Sequence, residues 1–275
     1  MPGLEAVYVE KPWGRVVLPA FMQDMAGERI GEVHFQGRPG DQHSLLVKYI
    51  ITDERLSIQV HPDDVQARAA GLRCGKEECW YILDCAADAV LGIGFTKVLS
   101  EDEFVGAARD GSIERLIDWK PAKPGDFFFI PAGTVHAIGA DIVLAEIQQN
   151  ADVTYRLYDY GRPRELHLDE GKAVSRLAPY ASDGTNAQLG TECRLLSADI
   201  APFQVDLKHW DAGETVQLPG GSQCWFLPLS GNGSVDDSRF APGGCWLLDG
   251  QSVITAATPV DALVAFVPTH PGFDE

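Results

Sequence analysis

Short apolar runs recur along the first two thirds of the chain, separated by Gly, Pro or Asp residues. They are rich in Val, Ile and aromatic residues, and they read HSLLVKYIIT, LSIQVH, ECWYIL, AVLGIGF, DFFFIP, TVHAIG and IVLAEI. Runs of this length, bounded by turn residues, are typical of β-strands. Helical patterns do not alternate with each strand, which argues against a doubly wound sheet. The pattern therefore predicts an all-β fold.

A few short helices are predicted to decorate these strands. The first spans residues 62 to 71 and begins with proline, a preferred residue of the first helical turn. The second begins at the capping residue Ser100, breaks at Gly111 and resumes toward Trp119. A third spans residues 169 to 177.

The pattern changes at residues 178 to 192, where the sequence APYASDGTNAQLGTE is polar, small and aperiodic. This composition is typical of a linker or a long surface loop. Strand-like runs then resume as FQVDLKHW, ETVQLP, CWFLPL, GCWLLD, SVITAA and ALVAFVP. We therefore predict two β units, residues 1–178 and a smaller one at residues 179–275.

Composition narrows the class of protein. With 275 residues, 45% of them hydrophobic, the chain can fill a substantial core. Its formal charge is −18, and acidic residues outnumber basic ones 40 to 22, so nucleic acid is not an expected partner. No apolar stretch has the length of a membrane span, and the start, MPGLEAVYVEKPWGR, lacks the zones of a signal peptide. We expect a cytoplasmic protein with no membrane partner.

The six cysteines are predicted to be free thiols, because a long chain without an export signal is not expected to need a disulfide frame. None of them forms a Cys-x-x-Cys pair. A thiolate zinc site is therefore not predicted.

The segment LSIQVHPDD contains the most informative polar residues. If it is a strand, alternation places Ser57, Gln59 and His61 on one face, opposite three buried apolar residues. Two of these side chains can bind a metal. An ordinary half-exposed strand with a polar face is the alternative interpretation.

Two further segments supply candidate ligands. In GKEECWYILD, Lys76 and Glu78 share a face at the start of an apolar strand, and in PAGTVHAIG, His136 lies on a short strand after a turn. Each residue alone has an ordinary structural explanation. Together, His61, Glu78 and His136 come from separate strands of one predicted barrel, with Gln59 as a candidate fourth ligand. Two imidazoles and a carboxylate suit Zn²⁺ and leave a position open for substrate.

The segment LAEIQQNADVTYRLYDYGR adds a carboxylate and an arginine. Glu146 and Gln148 point the same way on a strand, and Arg156 follows after a turn. A guanidinium binds oxyanions through paired donors, so Arg156 suits a phosphate or an enediolate. The alternative is that Arg156 pairs with Asp152 or Asp159.

The four segments LSIQVHPDD, GKEECWYILD, PAGTVHAIG and EIQQNADVTYRLYDY resemble the signature blocks of type I mannose-6-phosphate isomerases, in particular the short bacterial form. They occur in the family's order and cover most of residues 40 to 168. The resemblance implies a cupin-type β-barrel or jelly roll as the catalytic domain, within residues 1–178. Residues 179–275 would then be a cupin-like β domain without metal ligands.

The resemblance also implies roles for individual residues. Gln59, His61, Glu78 and His136 would bind one Zn²⁺ per chain, or another divalent metal. Arg156 would be the catalytic arginine, and Ser57, Lys76 and Glu146 would line the pocket. Outside the four blocks the match is thin, and RIGEVHF has His34 where the family more usually has tryptophan. We expect that difference to affect core packing more than chemistry, with a changed pocket wall as the alternative.

The expected reaction is the interconversion of mannose 6-phosphate and fructose 6-phosphate through an enediolate, which needs a base at C2 and C1. Glu146 is the first candidate base, because desolvation can raise the pKa of a carboxyl group toward neutrality. A zinc-bound water and Lys76 are the next candidates. The phosphate is expected on Lys76 and Ser57, with Arg156 or Arg162.

Other functions fit the same residues. Two histidines and a carboxylate also suit non-haem iron, so a cupin oxidoreductase is one alternative. A sugar-phosphate-binding cupin without catalytic activity is another, although Arg156, Lys76 and Glu146 together argue against it. The expected partner is a small sugar phosphate, and the expected assembly is a monomer or a homodimer.

Overall fold

A computed structural model describes residues 3–23, 25, 27–38, 40–218, 223–248 and 250–268. Strands dominate these residues and helices are few and short, which confirms the predicted all-β, cupin-type fold class. In this part of the chain, no helix is long and apolar enough to cross a membrane.

The elements follow one another from residue 5 to residue 266. The strands of the first part are β1 Glu5–Arg15, β2 Ile30–Gln36, β3 Leu45–Ile51, β4 Ile58–Val60, β5 Glu78–Cys85, β6 Val90–Phe95, β7 Ile117–Pro121, β8 Asp126–Ile130, β9 His136–Ile138, β10 Ile142–Gln149, β11 Tyr155–Tyr158 and β12 Thr185–Asn186. Those of the second part are β13 Cys193–Leu196, β14 Gln204–Trp210, β15 Thr215–Gln217, β16 Cys224–Pro228, β17 Gly233–Val235, β18 Ser238–Phe240, β19 Trp246–Leu248, β20 Val253–Ala256 and β21 Val260–Phe266. The helices are α1 Asp64–Ala69, α2 Glu101–Asp110 and α3 Leu168–Val174.

The three predicted helices form, and all are shorter than predicted: α1 spans Asp64–Ala69, α3 ends at Val174, and α2 does not resume as an α-helix. Ser100 caps α2 by accepting a hydrogen bond from the backbone N–H of Glu103, and Gly111 ends the helix with a φ of 81°. A single 3₁₀ turn, Ser112–Arg115, follows. The predicted continuation to Trp119 is wrong, because Trp119 lies in β7, opposite Gly92 of β6. The left-handed conformation at Gly111 turns the chain back toward the sheet.

Two facing sheets build the first part of the molecule. One has the strand order β1-β2-β3-β10-β5-β8-β12, and the other has the order β11-β4-β9-β6-β7. Between them lies a buried apolar cluster that includes Ile50 and Trp80 from the first sheet and Leu91 and Ile93 from the second. The polar site described below lies in the space between the same two sheets.

The second part forms two further sheets, with the orders β13-β14-β21-β16-β19 and β15-β20-β17-β18. A large apolar cluster joins this part to the outer face of the first sheet. It includes Val47 and Tyr81 from the first sheet together with Leu207 and Trp225 from the second part. The second part thus packs against the face of the first sheet that points away from the site.

The segment 178 to 192 is not a free linker throughout. Thr185 and Asn186 form β12, which pairs with β8 of the first sheet. The hydroxyl of Tyr180 also donates a hydrogen bond to the carbonyl of Phe129. The first half of the segment therefore packs on the first part of the molecule, and the division between residues 178 and 179 stays a prediction.

Candidate active site

The second sheet aligns three polar residues in one row. Arg156 of β11 lies opposite Gln59 of β4, and Gln59 lies opposite His136 of β9. Directly opposed residues of neighbouring strands project from the same face of a sheet. This explains why residues distant in sequence meet at one site.

The first sheet contributes two rows that face the site. Glu146 of β10 lies between Trp80 of β5 and Lys48 of β3, and Gln148 of β10 lies opposite Glu78 of β5. Glu146 and Gln148 are two positions apart, so they project to the same face. The alternation predicted from the sequence for this strand is confirmed.

A cavity of about 910 Å³ lies between these rows. Several of the predicted site residues line it, namely Ser57, Gln59, Lys76, Glu146 and Arg156. The three strongest candidate ligands, His61, Glu78 and His136, are buried behind Gln59 and Lys76.

His61, Glu78 and His136 form a compact triad whose candidate ligand atoms all lie within 4.8 Å of one another. Each imidazole Nε2 is 3.4 Å from a Glu78 oxygen. The Nδ1 atom of each ring donates a hydrogen bond to a backbone carbonyl. His61 donates to Val153 at 2.8 Å, and His136 donates to Thr134 at 2.9 Å. These bonds fix the rings and leave the Nε2 atoms as acceptors, as is usual for histidines that bind a metal.

The chemistry of the triad suits a divalent metal. Burial lowers the pKa of His61 well below its usual range, with Lys76 adding to the effect, and burial also lowers the pKa of His136 against the opposing charge of Glu78. Both shifts favour the neutral ring, which is the form that binds a metal. The Glu78 Oε1 atom is buried and has no hydrogen-bond partner in the described part of the chain. A metal ion would satisfy it.

The fourth predicted ligand, Gln59, reaches the triad through its amide nitrogen. Its Nε2 lies 3.3 Å from the Nε2 of His136, while its oxygen accepts a hydrogen bond from the Ser57 hydroxyl at 3.2 Å. To bind a metal, the amide must rotate by about 180° and exchange the two atoms. The Ser57 hydroxyl can serve either orientation, because it both donates and accepts.

Lys76 was expected to bind the phosphate, but its ammonium group lies beside two members of the triad. Its Nζ donates hydrogen bonds to Glu78 and, at 3.0 Å, to the Nε2 of His61. The side chain is only 7% exposed. The structure therefore brings Lys76 to the His-Glu-His triad.

Glu146 has a different electrostatic environment from the expected one. Its carboxylate pairs with Lys48 at 2.8 Å and accepts a hydrogen bond from the Trp80 indole at 3.0 Å. Burial raises its pKa, but Lys48 and Lys76 outweigh this effect, so the pKa lies below its ordinary value. The expectation of a raised pKa is wrong, because it considered desolvation without these neighbouring lysines.

Arg156 lines the cavity, and one hydrogen bond fixes its guanidinium. One of its terminal nitrogens donates to the carbonyl of Glu165 at 2.8 Å, and its Nε is buried without a partner among the described residues. Burial and the nearby Arg164 lower the pKa of the guanidinium. The alternative pairing with Asp159 does not occur, because Arg162 and Arg164 bind that carboxylate.

Arg162 is not brought to the cavity. It binds Glu54, Asp159 and the carbonyl of Arg55. Its neighbour Arg164 lines the cavity instead, held by paired hydrogen bonds of 2.6 and 2.7 Å to Asp159. Of these two arginines, Arg164 and not the predicted Arg162 lines the cavity.

A group of charged residues on the cavity wall was not predicted from the sequence. Lys48 interrupts the apolar strand β3, and on β2 Glu32 binds both Lys11 at 3.2 Å and His34 at 2.5 Å. His34 lines the cavity, which agrees with the alternative of a changed pocket wall and not with an effect on core packing. A single charge inside an apolar run, such as Lys48 in LLVKYII, was the available signal.

Glu32 is expected to stabilise the fold in a pH-dependent way. Burial raises its pKa, but Lys48, His34 and Lys11 together lower it below the ordinary value of 4.5. Its contribution is therefore fully present above the unfolded-state pKa of about 4.5 and is lost as pH falls toward the lower folded-state pKa. Glu32→Gln should cost about 2 kcal/mol at pH 7, since it removes the charged carboxylate that pairs with Lys11 and His34, while Lys48 keeps Glu146 as a partner.

Urea unfolding of both proteins at pH 7 and pH 3 tests this prediction. The difference in unfolding free energy should shrink at the lower pH. Glu10→Gln, on the exposed side of β1, is the matched control and should change little at either pH. An equal difference at both pH values would contradict the assignment.

No family model matches this chain. It is 46% identical over 142 residues to mannose-6-phosphate isomerase ManA of Bacillus subtilis, covering 49% of this chain and 45% of that protein. It is 39% identical over 132 residues to mannose-6-phosphate isomerase of Streptococcus mutans, covering 46% of this chain and 42% of that protein. The chain thus spans about half the length of the curated relatives it matches.

The structural likeness extends further. The crystal structure of mannose 6-phosphate isomerase from Bacillus subtilis matches with a TM-score of 0.80 at 27% identity, covering 96% of this chain and 98% of that one. The apo enzyme from Salmonella typhimurium shares the fold with a TM-score of 0.65 at 15% identity, covering 98% of this chain and 99% of that one. In sequence over about half of its length, and in fold over nearly all of it, this chain is similar to mannose-6-phosphate isomerases.

Proposed function

We propose that this chain is an aldose-ketose isomerase that interconverts mannose 6-phosphate and fructose 6-phosphate. The observation that carries the proposal is the meeting of a buried His-Glu-His triad with a cavity that holds a carboxylate and an arginine, Glu146 and Arg156. The similarity to enzymes of this name supports it. All the site residues named above lie in residues 1–178, which we propose as the catalytic domain, with 179–275 as a second β domain.

Zinc is the proposed metal, one ion per chain. His61, Glu78 and His136 would hold it, with Gln59 as a fourth ligand after rotation of its amide. A bound zinc ion supplies a Lewis acid that polarises sugar oxygens near the reacting carbons. Because two imidazoles and a carboxylate also suit iron, metal analysis of the purified protein is part of the test.

Glu146 is the proposed base for the proton that moves between C2 and C1. Lys48 keeps its carboxylate ionised, which is the form that accepts a proton, although the lowered pKa makes it a weaker base. Arg156 would bind the negative charge that develops on the sugar oxygen. Lys76, beside the triad, would contact the same end of the sugar, so we assign the phosphate to Ser57 and Arg164.

The test is a coupled assay of mannose 6-phosphate conversion by the metal-loaded protein. We expect conversion that a chelator abolishes and that added Zn²⁺ restores. Turnover should be the same in air and without oxygen, because isomerisation consumes no oxidant. Oxygen-dependent turnover would favour an iron oxidoreductase, and tight binding of the sugar phosphate without conversion would favour a non-catalytic binding protein.

A further inference from the structure

Gln148 carries a buried hydrogen-bond acceptor that the described part of the chain leaves unsatisfied. The residue is 1% exposed and lines the cavity, and its Oε1 atom has no hydrogen-bond partner there. An unsatisfied buried acceptor is costly, so such atoms in a binding site are usually completed by a ligand. None of the roles assigned above uses Gln148.

The orientation of the Gln148 amide is fixed by its other half. The Nε2 atom donates hydrogen bonds to the carbonyls of Gln149 at 2.9 Å and Ala151 at 3.0 Å. Exchanging nitrogen and oxygen would place the amide oxygen against both carbonyl oxygens and lose both bonds. The group left without a partner on this lining residue is therefore an oxygen that can only accept.

An acceptor selects the part of the substrate that can approach it. A phosphate dianion offers only acceptor oxygens and would be repelled, whereas a sugar hydroxyl can donate. Gln148 lies opposite Glu78 of the metal triad and two positions after Glu146, the proposed base. Of the two ends of a sugar phosphate, the hydroxylated sugar is therefore the one whose chemistry suits this wall of the cavity.

We propose that Gln148 Oε1 accepts a hydrogen bond from a secondary hydroxyl of the sugar, at C2, C3 or C4, and so helps to select a hydroxylated hexose phosphate. The inference rests on the proposed function for the class of substrate. It makes Gln148 a substrate-binding residue in addition to the proposed catalytic ones.

The experiment measures binding to zinc-loaded protein by calorimetry, so that no turnover is needed. The ligands are 1,5-anhydromannitol 6-phosphate, which cannot be isomerised, and its 2-, 3- and 4-deoxy forms. Wild-type protein should bind one deoxy form about tenfold more weakly than the parent compound, because that form leaves Gln148 unpaired. Gln148→Met should bind the parent and that deoxy form equally well.

Gln149→Met is the matched control on the same strand. Unlike Gln148, Gln149 is hydrogen-bonded at both ends of its amide, to the N–H of Glu77 and to Asp64, and it does not line the cavity. Its loss should preserve the wild-type ratio between parent and deoxy forms. If Gln148→Met is insoluble, Gln148→Asn, which withdraws the amide by one methylene group, is measured in the same way.

The proposal is overturned if Gln148→Met keeps the wild-type ratio of affinities for the parent and the deoxy form. It is also overturned if that variant loses zinc, which would place Gln148 at the metal instead. Failure of the parent compound to bind wild-type protein overturns both this inference and the proposed substrate class. If Gln148→Met binds the parent and the deoxy form equally well but wild-type protein does not isomerise mannose 6-phosphate, the role of Gln148 stands and the proposed reaction fails.

Discussion

His136→Ala should abolish both metal binding and isomerase activity. The imidazole of His136 is 1% exposed, lies 3.4 Å from Glu78 and has its other nitrogen bonded to a backbone carbonyl. Its loss removes one of three clustered ligand atoms, and no other His, Cys, Asp or Glu group with this geometry is found in the described ranges. Elemental analysis should give about one equivalent of zinc for wild-type protein and almost none for the variant.

The control is His209→Ala, in β14 of the second part, where the ring binds Asp261 at 2.9 Å. This variant also loses a histidine but should keep the metal and the activity. Circular dichroism and thermal unfolding check that both variants fold. Full metal occupancy in a folded His136→Ala protein would show that the ligand assignment is wrong.

The triad could be predicted from the sequence because β-structure has a simple period. Alternation along LSIQVH placed Gln59 and His61 on one face, and the structure brings that face to His136 and Glu78. The prediction needed only that each strand lie in one barrel. Across-strand pairing then joined residues that are far apart along the chain.

The electrostatics of Glu146 could not be predicted in the same way. The sign of its pKa shift depends on Lys48, which reaches it through the pairing of β3 with β10. Strand order is not encoded in local periodicity, so the sequence showed a buried carboxylate without showing its partner. The lone lysine in an apolar strand was the only available sign.

The chain geometry after β11 explains why Arg164, and not the predicted Arg162, lines the cavity. Regular alternation fails at the end of β11, where the register shifts between Arg156 and Tyr158. Tyr160 and Gly161 then adopt positive φ angles of 54° and 82°, which turn the chain. Beyond such a turn, sequence spacing no longer indicates a face, so Arg162 and Arg164 could not be distinguished from the pattern.

Arg156→Ala should lower kcat by about 10²- to 10³-fold, with a smaller change in KM. Arg156 lies opposite Gln59, which borders the metal triad, and its Nε is buried without a partner in the described part of the chain. In the proposed function the guanidinium would therefore lie at the reacting end of the sugar. Removing one such donor to a developing oxyanion typically costs about 2 to 4 kcal/mol of transition-state stabilisation.

Arg164→Ala is the matched comparison, since it removes a second arginine from the same cavity wall. Asp159 holds Arg164 through paired hydrogen bonds, and we assign it to the phosphate. Its loss should raise KM more than it lowers kcat, provided that the phosphate is bound equally in the ground and transition states. Assays with mannose supplied together with inorganic phosphite separate the two effects, because the phosphate contact then acts on a detached anion. If Arg156→Ala leaves kcat intact and only weakens binding, Arg156 is the phosphate contact and the roles of the two arginines must be exchanged.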